Sequence, residues 1–227
     1  MTGQSDRTDA RDRPVLVWDV PIRLFHWGVT LLIPVLYVTW RLNWMDWHAR
    51  AGYLLLALLL FRVLWGVFGS DTARFCRFMT SPYVSLRHLA RLHRREPDIM
   101  VGHNPAGGWM VILLLGLLLG ETLTGVYVNN DVADEGPLTE IVPARITNLI
   151  TDLHLVIWDV LLAAIIIHVA TIAFYTLIKR HNLIRPMVVG YKRLPKTVPP
   201  PEIAGTGRAL VLLILAVCVA ALIVRAS

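Results

Sequence analysis

Five stretches of the chain are almost continuously apolar, and the segments between them are crowded with Arg, Lys, Asp, Glu, Pro and Gly. The stretches run approximately from Leu24 to Trp40, Ala51 to Phe68, Trp109 to Val128 and Leu155 to Ile178, with a shorter one from Ala209 to Val224. A helix needs about 20 apolar residues to cross the hydrocarbon of a bilayer. The pattern therefore predicts an all-α integral membrane protein, a bundle of four spanning helices with a fifth, C-terminal transmembrane helix. The Pro199-Pro200-Pro201 run and the Gly205-Thr206-Gly207 segment read as a linker that separates the fifth span from the bundle. The expected organisation is an N-terminal tail over 1–14, a four-helix transmembrane domain over 15–196, a linker over 197–208 and a terminal helix over 209–227. Between Ser81 and Arg95, Val84, Leu86, Leu89 and Leu92 alternate with Arg and His, which suits an amphipathic helix lying on lipid.

Composition strengthens this picture. Of 227 residues, 56% are hydrophobic and eight are Trp, and the mean hydropathy is +0.57, well above soluble usage. Cys76 and Cys218 stand alone, without the Cys-x-x-Cys-His that attaches a haem covalently and without zinc-ribbon spacing. Residues Met1 to Val15 are polar and charged, so the first apolar segment is expected to act as an uncleaved signal anchor.

The net charge of +6 does not indicate nucleic acid, because the basic residues sort by loop. Arg7, Arg11 and Arg13 precede the first span. Arg74, Arg77, Arg87, Arg91, Arg94 and Arg95 follow the second. Lys179, Arg180, Arg185, Lys192, Arg193, Lys196 and Arg208 follow the fourth. The other loops hold Arg41, Arg50 and Arg145, and the loop after the third span carries Asp131, Asp134, Glu135 and Glu140. The positive-inside bias places the N-terminus in the cytoplasm and the C-terminus outside, as in a multi-pass protein of a bacterial inner membrane.

Against that topology the eight histidines become informative. His26 lies early in the first span, His48 just before the second, and His154 and His168 on the fourth. A histidine within lipid is costly and usually functional. His154 and His168 are 168 − 154 = 14 residues apart, which returns to nearly the same helix face about 21 Å along the axis. His26 and His168 then share the cytoplasmic depth, and His48 and His154 the outer depth. Two haems, each held by two imidazoles, follow from this matching. Such ligation fills both axial positions and favours electron transfer over chemistry at the iron. Arg62 lies 62 − 48 = 14 residues beyond His48 at the cytoplasmic depth, where it either pairs with a haem propionate or snorkels to headgroups. A zinc site or proton path would need acidic partners in mid-membrane, and Glu121 is the one acid clearly within a span.

The chain resembles the bacterial cytochrome b561 family and the related cytochrome b subunits of nickel-iron hydrogenases. The resemblance rests on Val17-Trp18-Asp19-Val20-Pro21-Ile22-Arg23-Leu24-Phe25-His26-Trp27, on His48-x-x-x-Gly52 with Arg62 further on, on Gly102-His103-Asn104-Pro105, and on the His154 and His168 pair, and it covers roughly Val15 to Lys196. It implies two non-covalent b haems with His26, His48, His154 and His168 as iron ligands, and a quinone or quinol as a redox partner. The fifth span goes beyond the family's four-helix core.

Two function classes follow. One is a membrane-bound cytochrome of a respiratory chain passing electrons between quinone or quinol and a protein such as a cytochrome c, with quinone oxidoreduction as the candidate reaction. The other is an anchor subunit that holds a hydrogenase or other reductase at the membrane; a homo-oligomer is compatible with both. The acidic loop from Asp131 to Glu140 suits a basic cytochrome c, and is equally what the topology leaves outside. Among other residues, His103 reads as part of a turn into the third helix, in a loop where a quinone head or a haem propionate can reach it, and His88, His93 and His181 as solvated. Gly116-x-x-x-Gly120, with Gly125 beyond, reads as a small packing face. Glu121 is a candidate for proton exchange with a quinone or for a hydrogen bond to Thr or a carbonyl. Trp18, Trp44 and Trp47 are expected at the interface, and Trp27 and Trp158 beside the haems.

Overall fold

The structure, a computed structural model, describes residues 12–91, 98–128 and 143–225. The chain order is β1 (Arg13–Leu16), α1 (Val20–Arg41), α2 (Met45–Phe68), α3 (Phe75–Phe78), α4 (Pro82–Ala90), α5 (Pro105–Gly125), α6 (Ala144–Leu177), α7 (Ile184–Val189), β2 (Tyr191–Leu194) and α8 (Thr206–Arg225). Five of these helices, α1, α2, α5, α6 and α8, are long and apolar enough to span a bilayer. Leu24, Leu31, Leu177 and Leu222 expose between 67 and 76% of their surface, apolar area that lipid rather than water accommodates. The protein is a multi-pass membrane bundle.

Local signals set where the spans begin. Asp19 caps α1, its Oδ1 accepting from Ile22 N at 2.8 Å, with Pro21 in the first turn. Asn104 does the same for α5, accepting from Gly107 N at 2.7 Å, with Pro105 in the first turn. The helices start earlier than the apolar stretches do. α6 begins at Ala144, 155 − 144 = 11 residues before Leu155, because Arg145, Thr147, Asn148, Thr151 and Asp152 continue the helix although they lower hydropathy.

Packing runs α1 on α2, α2 on α5 and α5 on α6. Val29, Leu55, Leu59, Leu115, Leu118 and Leu161 form one buried cluster at mid-height. α1 and α2 approach α6 closely at few backbone positions, and side chains reach across, with Tyr37 of α1 stacked on Trp158 of α6 at 5.7 Å.

A two-stranded ribbon closes one end of the bundle, a feature with no apolar signature. β1 and β2 pair antiparallel from Arg13 opposite Leu194 to Leu16 opposite Tyr191. Val17 N and Trp18 N then both donate to Gly190 O, whose residue has φ +88°, a conformation that glycine adopts without strain. Below the ribbon, Val15, Val17, Trp18, Ile22, Phe61, Trp65 and Leu194 make a second buried cluster. Trp18, expected at the interface, is 7% exposed in it, whereas Trp44 and Trp47 expose 56 and 61%.

The segment before α8 does not act as a spacer. Asp71 N donates to Glu202 O and Glu202 N to Asp71 Oδ2, both at 3.0 Å, and Ala204 N donates to Ser70 Oγ. α8 packs along α2 through Ala209, Ala216 and Ala220, small residues that let two helices approach closely. The prolines shape a fitted connection rather than a free one. Of the expected amphipathic stretch, α4 covers Pro82–Ala90 and is tied to α5 by Ser85 Oγ donating to Pro105 O at 3.0 Å. Arg7, Arg11, His93, Arg94, Arg95 and the acidic group Asp131, Asp134, Glu135 and Glu140 lie outside the described residues.

Candidate functional site

The four span histidines fall into two clusters, one at the ribbon end and one at the opposite end. His26 on α1 and His168 on α6 lie within electrostatic reach of each other, and so do His48 on α2 and His154 on α6. Each pair therefore bridges α6 and a helix that it approaches closely at few backbone positions. Leu161 lies seven residues from both His154 and His168, since 161 − 154 = 168 − 161 = 7. On α2, Leu55 stands midway between His48 and Arg62 in the same way. Both leucines are at most 2% exposed, so the two polar clusters are separated by the mid-height apolar layer.

At the opposite end, hydrogen bonds fix which imidazole nitrogen is available. His48 Nδ1 lies 2.9 Å from Leu36 O. A carbonyl can only accept, so Nδ1 carries the proton and Nε2 keeps its lone pair. His154 Nδ1 lies 3.0 Å from Thr124 Oγ1, and that hydroxyl donates to Gly120 O at 2.7 Å. With Thr124 donating to that carbonyl and accepting from Nδ1, Nε2 is the base that faces a protonated Glu121 carboxyl. Glu121 Oε1 is 3.3 Å from that nitrogen, so its neighbour is a histidine rather than a Thr or a carbonyl, and its Oε2 is buried without a partner among the described residues.

The small residues do separate jobs. A Cβ on Gly125 would come within 3.2 Å of His154 Cε1, and one on Gly120 within 3.3 Å of Ile157 Cδ1, so both glycines let α6 lie close to α5. Gly116 faces outward. Gly52, one turn beyond His48, is half-buried, yet a Cβ there would meet nothing within 4 Å, which marks open space at that turn of α2.

At the ribbon end the ring of His26 is half-buried and its Nδ1 is enclosed without a partner among the described residues. His26 follows the Asp19 cap by 26 − 19 = 7 residues, two turns along α1. Asp19 Oδ2 in turn accepts from Trp65 Nε1 at 3.0 Å. Arg62 is 3% exposed. Its Nη1 donates to Ala73 O at 3.3 Å and its guanidinium lies over the Phe75 ring at 5.0 Å. Trp27, beside His26, reaches outward to donate to Met187 O at 3.1 Å.

The cluster also holds His103, which the sequence presents first as part of a turn. Its ring packs against Trp18 and Phe78 at 4.6 and 4.8 Å between centroids. Burial, then the charge of Arg62, then His168 and His26, push this imidazole down to about 3, so it is neutral. His88 and His181 are likewise not simply solvated. His88 Nε2 lies 3.1 Å from Tyr175 Oη, which also accepts from Asn104 Nδ2 at 3.2 Å, and the His181 ring packs near the same tyrosine. Among the described residues no three His, Cys, Asp or Glu side chains converge as a metal cage; the span histidines are paired instead.

Residues 17–190 match the family described as prokaryotic cytochrome b561. The chain is also similar to a "Probable Ni/Fe-hydrogenase B-type cytochrome subunit" of Azotobacter chroococcum mcd 1, with 25% identity over 228 residues, 84% of this chain and 93% of that protein. No solved structure matches.

Proposed function

The chain belongs to the prokaryotic cytochrome b561 family, membrane cytochromes of the b type, and on that basis we propose that it holds two b haems and carries electrons between a quinone or quinol and a protein redox partner. His26 and His168 ligate one haem at the ribbon end, and His48 and His154 the other at the opposite end. The pairing of these histidines between α6 and the helices α1 and α2, which it approaches closely at few backbone positions, supports the assignment more than any other observation. Held between two imidazoles, a haem would supply single-electron transfer.

The residues present suit such a group. Leu36 O and Thr124 Oγ1 each hold the Nδ1 of a histidine and leave Nε2 as the donor atom, the usual arrangement of a histidine ligand. Open space lies at Gly52, one turn along α2 from His48. Arg62 supplies a buried positive charge suited to a propionate. Glu121 meets His154 at a length of 3.3 Å, and its second oxygen is unengaged among the described residues, so it can yield that nitrogen.

The basic segments flanking the ribbon support a topology with that end, and the N-terminus, on the cytoplasmic side of a bacterial inner membrane. A second reading, an electron-accepting anchor subunit for a hydrogenase or other reductase, is favoured by the printed name of the Azotobacter chroococcum mcd 1 relative.

Reduced-minus-oxidised spectra and a pyridine haemochrome assay test the reading. The wild-type chain in mild detergent should contain two b haems, and His154→Ala and His168→Ala should each lose one. A folded wild-type chain without b haem overturns it. Quinol oxidation by the isolated chain supports the free cytochrome, whereas co-purification with a large metal-containing subunit supports the anchor.

A further inference from the structure

Arg62 is a buried cation short of an anion. Among the described residues no carboxylate lies in ion-pair contact with it, and its hydrogen bond goes to one carbonyl at 3.3 Å. Asp19 is the acid that acts on it electrostatically, but both Asp19 oxygens are already engaged, one by Ile22 N and one by Trp65 Nε1. An unpaired buried charge is strongly destabilising, so the fold leaves a place for an anion at this end.

His103 faces the same need from another element. Its Nδ1 is fully enclosed and has no partner among the described residues, although the ring as a whole is half-buried and borders open space. Its position is firmly set: Gly102 at φ +86°, Trp18 and Phe78 against the ring, and the Asn104 cap on the following helix. Arg62, His26 and His168 all act on it electrostatically. A neutral imidazole can give one hydrogen bond and a guanidinium both charge and hydrogen bonds, a donor set suited to a carboxylate. A neutral quinone carbonyl would leave the Arg62 charge uncompensated.

Resting on the two-haem reading, we propose that His103 and Arg62 together hold a propionate of the ribbon-end haem, His103 donating from Nδ1. His103 is thus a cofactor-positioning residue rather than a turn residue. It tunes the ribbon-end haem by stabilising negative charge beside it, and losing that donor favours the oxidised form.

The test uses the full chain in a His154→Ala background, so that the ribbon-end haem is observed alone. Redox titration and haem retention are compared for His103→Asn, whose amide replaces the Nδ1 donor, and His103→Leu, which keeps apolar packing against Trp18 and Phe78. The expected result is near-wild-type behaviour for Asn, with a lowered midpoint potential or about tenfold weaker haem retention for Leu. Leu performing as well as Asn, in potential and in retention, overturns the proposal and leaves His103 a packing residue. Absence of a ribbon-end haem from the His154→Ala protein itself refutes the two-haem reading instead.

Discussion

Trp65 on α2 donates its indole N–H to the same carboxylate that caps α1, Asp19 Oδ2 lying 3.0 Å from Trp65 Nε1 while Oδ1 accepts from Ile22 N. Trp65 is 0% exposed and Asp19 2%, so neither group can turn to water. One side chain thereby fixes the start of α1 against α2, and with it the depth of His26 two turns later.

Asp19→Ala should destabilise the protein by about 2–4 kcal/mol, through a lost cap and a stranded buried donor. Asp19→Asn, which can still cap, should cost less. Thermal melts in detergent rank the two, and the ribbon-end haem should be the first lost in the Ala variant. Equal melting of Ala and wild type would show that the carboxylate is dispensable.

Leu161→Ala should cost about 2–5 kcal/mol by opening a cavity in the mid-height layer, yet leave two haems per chain, because Leu161 touches neither imidazole pair directly in the hydrogen-bonded networks described. Denaturation midpoint and haem stoichiometry, measured on the same preparation, separate the two effects. Loss of either haem would mean that the layer also positions the ligands.

Gly125→Val places a branched side chain where even a single Cβ would lie 3.2 Å from the His154 ring. His154 must then shift, and the spectral contribution of the opposite-end haem should fall while that of the ribbon-end haem persists. A normal two-haem spectrum would show that α5 and α6 can separate without cost to the site.

Thr124→Val removes the acceptor for His154 Nδ1 at nearly constant volume. Haem affinity at the opposite end should fall by about 10–100-fold, the scale on which second partners of ligating histidines act. Haem titration of the apoprotein reads this directly, and an unchanged affinity would assign orientation of the ring to packing alone.

The helical period and the sorting of Arg and Lys were enough to single out His26, His48, His154 and His168 and to match them by depth, because both signals are carried by each helix on its own. What escaped depends on contacts between distant parts of the chain. β1 and β2 are four residues each, with no apolar alternation long enough to announce a strand, and they meet across nearly the whole bundle. In Gly102-His103-Asn104-Pro105 the turn explains the glycine, the cap explains the asparagine and the proline suits the first turn. Only the histidine lacks a local reason, and that residue was the available clue. The spacing of Ala209, Ala216 and Ala220 likewise marks a close-packing face of α8, a signal masked by the prolines before it.

The ribbon also bears on how the protein is made. Arg13 pairs with Leu194, so the first strand to leave the ribosome has no partner until α6 has been synthesised and its far end has emerged. Loop closure over so many residues is slow to be rewarded by contacts. The ribbon end, with Trp18 and Trp65 beneath it, therefore assembles after the mid-height layer has formed, and truncations before β2 should accumulate an inserted bundle whose N-terminal strand remains open to protease.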